Sequence, residues 1–406
     1  MGAMGAMGNP GAVGDTGPAG PAGATGAPGP SGAPGANGSP GATGAPGAGA
    51  APTPVAAQAG LVGFGAIYGM TVDPGGNLWV AYNTAGFDDG MRTRNVSATR
   101  NRKLASATTG GLSVAEYLAG TVTTAAGYAS PTPNYNAVLS TVDTYGSLAG
   151  FAVDAAGDVF LGEFNEIEAY AAPASSAEVP AIIANDFPAA YEYEGQEIGL
   201  SGGVLYALDL PTPAPDTTAT PVIEPYTFTG GMLGAGTPIV PSVFASPSLP
   251  FTLSGDYTGV LSSLITPYSV GNGAPTLAVF SAPATGVAAS TNELATSNGY
   301  LSVARDPASG NVYVLSEGTS DSAPSVVVYA ATGTNALGPL AFFVVPSIAV
   351  SLTIDATYVY VAFQNGTISA YPLYSASAPY ADAKSGRTFN PYLPYSKALY
   401  SRIKSR

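Results

Sequence analysis

From Leu61 onward the chain repeats one short pattern of apolar and polar positions. An apolar run meets a polar turn led by Asp or Ser and containing Gly, and a second apolar run follows. Gly69-Met-Thr-Val-Asp-Pro-Gly-Gly-Asn-Leu-Trp-Val-Ala81 is the clearest copy, and Gly150-Phe-Ala-Val-Asp-Ala-Ala-Gly-Asp-Val-Phe-Leu-Gly162 repeats it. Leu301–Leu315 and Leu352–Ala362 follow the same order, with Ile198–Leu208 and Phe251–Leu261 as looser copies. Asp or Asn with Gly supplies the side-chain cap and the positive φ that a tight turn needs, so each copy predicts a β-hairpin. A third strand ending in an aromatic and a small residue is expected after most copies, at Leu112–Leu118, Glu166–Ala171, Leu277–Ser281, Val326–Ala330 and Thr367–Tyr371. Turns near positions 73, 154, 201, 254, 306 and 355 lie 81, 47, 53, 52 and 49 residues apart. Spacing near 50 residues is that of propeller blades, and six copies predict six. The long first interval holds an insertion at 87–110, expected to project as a loop. The most apolar run, Ala341 to Val350, reads as one buried strand, since it contains Pro346 and is too short to cross a membrane.

The first 49 residues follow another rule. Glycine stands at every third position: Gly2, Gly5, Gly8, Gly11, Gly14, Gly17, Gly20, Gly23, Gly26, Gly29, Gly32, Gly35, Gly38, Gly41, Gly44 and Gly47. A flexible spacer has no reason to hold that phase. Three chains wound together have one, because only glycine fits the crowded axis of the collagen triple helix. The tract therefore predicts a homotrimer and a rod of about 140–150 Å at ~3.1 Å per residue. Proline occupies X at positions 18, 21 and 30 and Y at 10, 28, 34, 40 and 46, with no Gly-Pro-Pro triplet. So short and imino-poor a helix is expected to depend on its heads or on lateral packing. Residues 50–60 read as a linker, 61–375 as the propeller and 376–406 as a basic, Tyr/Pro-containing tail.

The tract resembles bacterial and viral collagen-like repeats. The unit Val72-Asp-Pro-Gly-Gly-Asn-Leu-Trp-Val-Ala81 resembles six-bladed propellers of the NHL and SMP-30/gluconolactonase kind. Together they imply an all-β fold, a six-bladed β-propeller preceded by an N-terminal collagen-like triple-helical stalk. Such propellers include ligand-binding scaffolds, interaction modules and calcium-dependent lactonases, so fold constrains function weakly. In them the second strand of each blade runs toward the usual ligand face. Here the column at its end reads Tyr82, Glu163, Leu208, Ser316 and Phe363, and the next reads Asn83, Phe164, Asp209, Glu317 and Gln364. The lactonase resemblance implies Glu163, Asp209, Glu317 and Asn83 as an oxygen-ligand set suited to Ca²⁺. The alternative is a ring of polar residues around a solvated channel mouth, with no cofactor.

Composition narrows the chemistry. The 406 residues contain no His and no Cys, which excludes imidazole acid–base catalysis, thiol nucleophiles, zinc–thiolate sites and disulfides. A Ser-Lys dyad would need one of four lysines, all in the insertion or the tail. Ser201-Gly-Gly203 and Gly230-Gly-Met-Leu-Gly-Ala-Gly236 lack the Lys-Ser/Thr of a phosphate loop and read as turns. The acids Glu163, Glu166, Glu168, Glu178, Asp186, Glu192, Glu194 and Glu197 form a tract expected to be the solvated face of strands. Trp79, the sole tryptophan, shares its repeat position with Phe160, Leu205, Tyr313 and Tyr360 and is expected to pack between blades.

Net charge is −14, and only 9% of residues are charged. Residues 104–383 hold 22 acids and one base, Arg305, which argues against nucleic acid as a partner. Five bases cluster in the insertion and six in the tail. Met1 to Gly20 shows no secretion signal, and no membrane-spanning segment is evident. These readings point to an extracellular or cell-surface structural or adhesive protein, not an enzyme, built as a trimer and extending to a filament or coat. A surface polymer or glycan is the expected contact, and a calcium-dependent lactonase-type hydrolase or glycan-binding head the alternative.

Overall fold

A computed structural model describes residues 11, 14–17, 57, 59–83, 112–120, 122, 128–129, 133–139, 148, 150–162, 166–172, 181–184, 197–209, 221–244, 248–267, 275–294, 299–318, 324–330, 340–346 and 348–375. The chain divides into two units, Met1–Ala48 and Gly49–Arg406. The second unit is all-β: six sheets follow one another along the chain, antiparallel but for one short parallel pair in the last. Blade one is built from Ala66–Val72, Leu78–Asn83, Leu112–Tyr117 and Tyr135–Leu139, in that order from the inside. Blade two takes Gly150–Val153, Val159–Gly162, Glu166–Tyr170 and Ala181–Ala184, and blade three Ile198–Ser201, Val204–Asp209, Val222–Thr229 and Met232–Ala235. Blade four takes Ser248–Gly255, Leu261–Pro267, Thr276–Phe280 and Ser290–Glu293, and blade five Gly299–Arg305, Val312–Gly318, Ser325–Tyr329 and Ala341–Val344. Blade six has Ala349–Ile354, Tyr358–Phe363 and Ile368–Pro372.

The six innermost strands pack each against the next, and Ala349–Ile354 packs back against Ala66–Val72, closing a ring. Strands buried on both faces join sheets that would each be marginal alone. Six apolar cores result, one per junction. Trp79, Val114, Val153 and Leu161 meet between blades one and two, and Phe160, Ile167, Leu205 and Tyr226 between two and three. The junction of blades three and four is so close that a Cβ on Gly255 would lie 2.1 Å from the carbonyl oxygen of Leu200. No larger residue fits there.

Blade six obtains its fourth strand from the start of the unit. Ala59–Leu61 pairs antiparallel with Ile368–Ala370. Tyr128–Ala129, from the excursion between the third and fourth strands of blade one, then pairs parallel with Gly60–Leu61. The strand that follows the stalk is thus held on both edges. Leu61 is buried beside Phe64, Ile67, Tyr358, Ile368 and Ala370. Two residues of the stretch read as linker, Ala59 and Gly60, belong to this strand.

Two readings of the sequence change. The run Ala341 to Val350 is two strands, Ala341–Val344 ending blade five and Ala349–Ile354 opening blade six. Pro346, which lacks the N–H a ladder needs, falls in the break. The turn of blade four is led by Asp256 and not centred near 254, so this copy is a full member of the Asp-led set. The insertion at 87–110, the tail at 376–406 and most of the stalk lie outside the described residues.

Candidate functional site

Each blade has two ends, and the Asp-led turns gather at one. In blade one, Asp73 Oδ1 accepts from the backbone N–H of Asn77 at 3.0 Å, and Oδ2 accepts from Asn77 Nδ2 at 3.0 Å and from Trp79 Nε1 at 2.9 Å. Asp154 Oδ1 accepts from the N–H groups of Ala156 at 2.8 Å and Asp158 at 2.9 Å. Asp256 does the same for Thr258 and Val260, Asp306 for Ala308, and Asp355 for Thr357 and Tyr358. These carboxylates cap the turns by accepting from backbone N–H groups that no ladder bond reaches. Blade three has no Asp here. Gly202 and Gly203, both at positive φ, turn the chain in two residues, and the preceding Ser201 hydroxyl instead donates to Asp256 O at 2.8 Å in the next blade.

This end is acidic. Its one cation among the described residues is Arg305, whose Nη1 pairs with Asp256 Oδ2 across the junction of blades four and five. Tyr257, 44% exposed, has its hydroxyl pKa pushed up by burial first and then by the charges of Asp256, Asp306 and Asp355. Three blades therefore act on one phenol. Tyr360 donates to Asp355 Oδ2 at 2.6 Å, and burial, followed by that bond, pushes its pKa far up. Tyr117 ends its strand at the same end of blade one, and burial, with Tyr82 second, raises it to about 12. Among the described residues no three acidic side chains are grouped to hold a metal ion. The arrangement can cap turns and present negative charge.

At the opposite end the second strands terminate. Asn83, Asp209 and Glu317 all lie at or near those ends, in blades one, three and five. Asn83 is buried. The side chains of Asp209 and Glu317, and all of Glu163, lie outside the described residues, so the proposed calcium set is placed only by backbone. The preceding column does not line a mouth. Tyr82, Leu208 and Phe363 are buried in three different junction cores, Tyr82 edge-on to Phe64 at 5.0 Å. Both faces of a second strand meet neighbouring blades, so its side chains alternate between the two flanking junctions, as Ala81 and Tyr82 do.

Trp79 packs between blades one and two as its repeat position implies. The acid tract behaves otherwise at Glu168, which is fully buried and accepts from Tyr170 OH at 2.7 Å. Glu224 accepts from Tyr226 at the same distance, so Glu-x-Tyr on a third strand recurs in blades two and three. Glu116 is also buried and takes a bond from Asn77 Nδ2 at 3.0 Å. For Glu168 and Glu224 the signal was the tyrosine two residues on, which points to the same face.

Residues 1–55 match the collagen triple helix repeat family. No curated protein matches the chain by sequence. Among solved structures, a chain of the mitotic checkpoint complex is 12% identical with a TM-score of 0.43, covering 82% of this chain and 98% of that one. The WD40 β-propeller domain of Doa1 is 11% identical with a TM-score of 0.43, covering 80% and 98%. Virginiamycin B lyase from Staphylococcus aureus is 12% identical with a TM-score of 0.36, covering 76% and 95%. The chain joins a collagen-like repeat to a six-bladed β-propeller, an architecture compatible with a stalk-and-head protein. Among the described residues no helix is long and apolar enough to cross a membrane.

Proposed function

We propose that this chain is an extracellular structural or adhesive protein in which three copies wind their collagen-like tracts into a stalk and display three propeller heads on a surface fibre, coat or appendage. One observation carries the reading. A Cβ added to Gly11, Gly14 or Gly17 would meet nothing within 4 Å in its own chain, and none of the three has the positive φ that favours glycine. Neither local sterics nor backbone conformation calls for glycine there, yet the period of three is unbroken from Gly2 to Gly47. A shared three-chain axis supplies the demand.

The heads contact a target without turning it over. The sequence offers no His or Cys, and the described Asp side chains of the turn end are bound to backbone N–H groups. Three heads on one stalk raise the strength of a weak contact by roughly 10²–10⁴ with no new contact type. A neutral or cationic surface polymer or glycan suits the acidic turn end. Electron microscopy of source cells labelled with antibody to the propeller tests this. Label outside the envelope, set off from it by about 140–150 Å, is expected. Label confined to the cytoplasm contradicts the reading.

A further inference from the structure

We propose that Asn365 is a site of N-linked glycosylation, an inference that rests on the extracellular reading above. Asn365-Gly366-Thr367 forms the turn between the second and third strands of blade six, at the end opposite the Asp-led turns. It has the Asn-x-Thr spacing of a glycan acceptor. Spacing alone is a weak signal. The geometry adds to it.

The turn is fixed from beneath and open above. Gly366 has a φ of 75° and is buried, and a Cβ there would lie 1.8 Å from Phe64 O, so the turn sits directly on the backbone that leads into blade one. Phe363 N–H donates to Thr367 O at 2.9 Å and Gly366 N–H to Phe363 O at 3.0 Å. Asn365 itself is exposed. Its Oδ1 accepts from the Thr367 hydroxyl at 2.7 Å and from the Thr367 N–H at 3.2 Å. Both donors act on the oxygen, and among the described residues Asn365 has no other partner. The carboxamide of this exposed residue is therefore oriented through Oδ1, and no hydrogen bond among the described residues engages Nδ2.

Hydrogen bonds to Oδ1 draw electron density from the amide and make its N–H easier to ionise. In the transfer, Nδ2 gives a proton to a base of the transferase and attacks the anomeric carbon of a lipid-pyrophosphate-linked saccharide. An N–C bond forms, the anomeric C–O bond breaks, and the lipid pyrophosphate leaves with its electron pair. The threonine hydroxyl acts as a positioning group. A glycan here would hydrate a surface poor in charge, since only 9% of residues carry one. It would also cover the opposite end of blade six, leaving the acidic turn end for contacts.

Peptide mapping by mass spectrometry of the full chain from its source tests the assignment. The peptide spanning Asn365 is expected to carry hexose or N-acetylhexosamine increments, and Thr367→Ala to lose them entirely. Asn365→Asp keeps an oxygen acceptor for Thr367 but has no amide nitrogen, so a folded, unglycosylated chain is expected. Thr367→Ser retains the hydroxyl and should keep some occupancy. Surface biotinylation of intact cells, run in parallel, reports location independently. Unmodified Asn365 on chain labelled from outside overturns the site and leaves the extracellular reading standing. Glycan at Asn365 on chain inaccessible to the label supports the site and overturns the location.

Discussion

At the residue scale, a few polar side chains hold the ring in register. Arg305 is the single base among residues 104–383, and it bridges blades four and five by pairing with Asp256, itself buried. Removing the partly buried Arg305 strands the charge of the buried Asp256. Arg305→Met keeps the aliphatic stem and is expected to cost roughly 3 kcal/mol in urea unfolding. Ser262 has the opposite sign: its hydroxyl is buried with no partner among the described residues, between Val260 and Leu264, which pack against blade five. Ser262→Ala removes that unsatisfied group and should stabilise the fold by about 1 kcal/mol in the same assay. Tyr117 links structure to pH. Its folded-state pKa of about 12 exceeds the ordinary value of 10.0. Above the ordinary value the unfolded chain has released this proton while the folded chain retains it. Stability must therefore fall as pH rises through that window, being fully present below it. Tyr206, Tyr257 and Tyr360 shift the same way. Tyr117→Phe should leave stability near neutrality almost unchanged and flatten the alkaline loss, as read from melting curves across the window.

At the element scale, the inner hairpins were legible because a tight turn makes a local demand. Asp73, Asp154, Asp306 and Asp355 mark their turns in sequence, since a carboxylate two to four residues from the N–H groups it caps needs no distant partner. The third strands were nearly as clear, Leu112–Tyr117 and Ser325–Tyr329 lying within a residue of expectation. The outer strands were not. Ala181–Ala184, Met232–Ala235 and Ser290–Glu293 each have four residues and no alternation strong enough to announce them. Ala59–Leu61 was hidden for another reason: its partner Ile368–Ala370 lies some three hundred residues along the chain, and nothing local reports a ring closure. A chain starting at Gly63 lacks this strand and the buried Leu61. It is expected to be less stable by at least ~3 kcal/mol than one starting at Ala57, from lost apolar burial and backbone bonds. Equal melting temperatures for the two would show that blade six closes without it.

At the scale of the whole molecule, the two units were legible to different depths. The stalk is written in a period that any reader of the sequence can count, and the blade number in the recurrence of a turn. The candidate site was less legible. Glu168 was expected on the solvated face of its strand, yet it is buried and accepts from Tyr170 on that same strand. Tyr82, Leu208 and Phe363, from the column at the ends of the second strands, lie in three different junction cores, among partners that no local pattern in the sequence reports. Multivalent display depends most on what the first 49 residues do together. Light scattering on the full chain and on a chain beginning at Ala57 measures this directly. Three copies per particle for the full chain and one for the shortened chain is the expected result. One copy per particle in both would contradict the trimeric stalk and the multivalent display built on it.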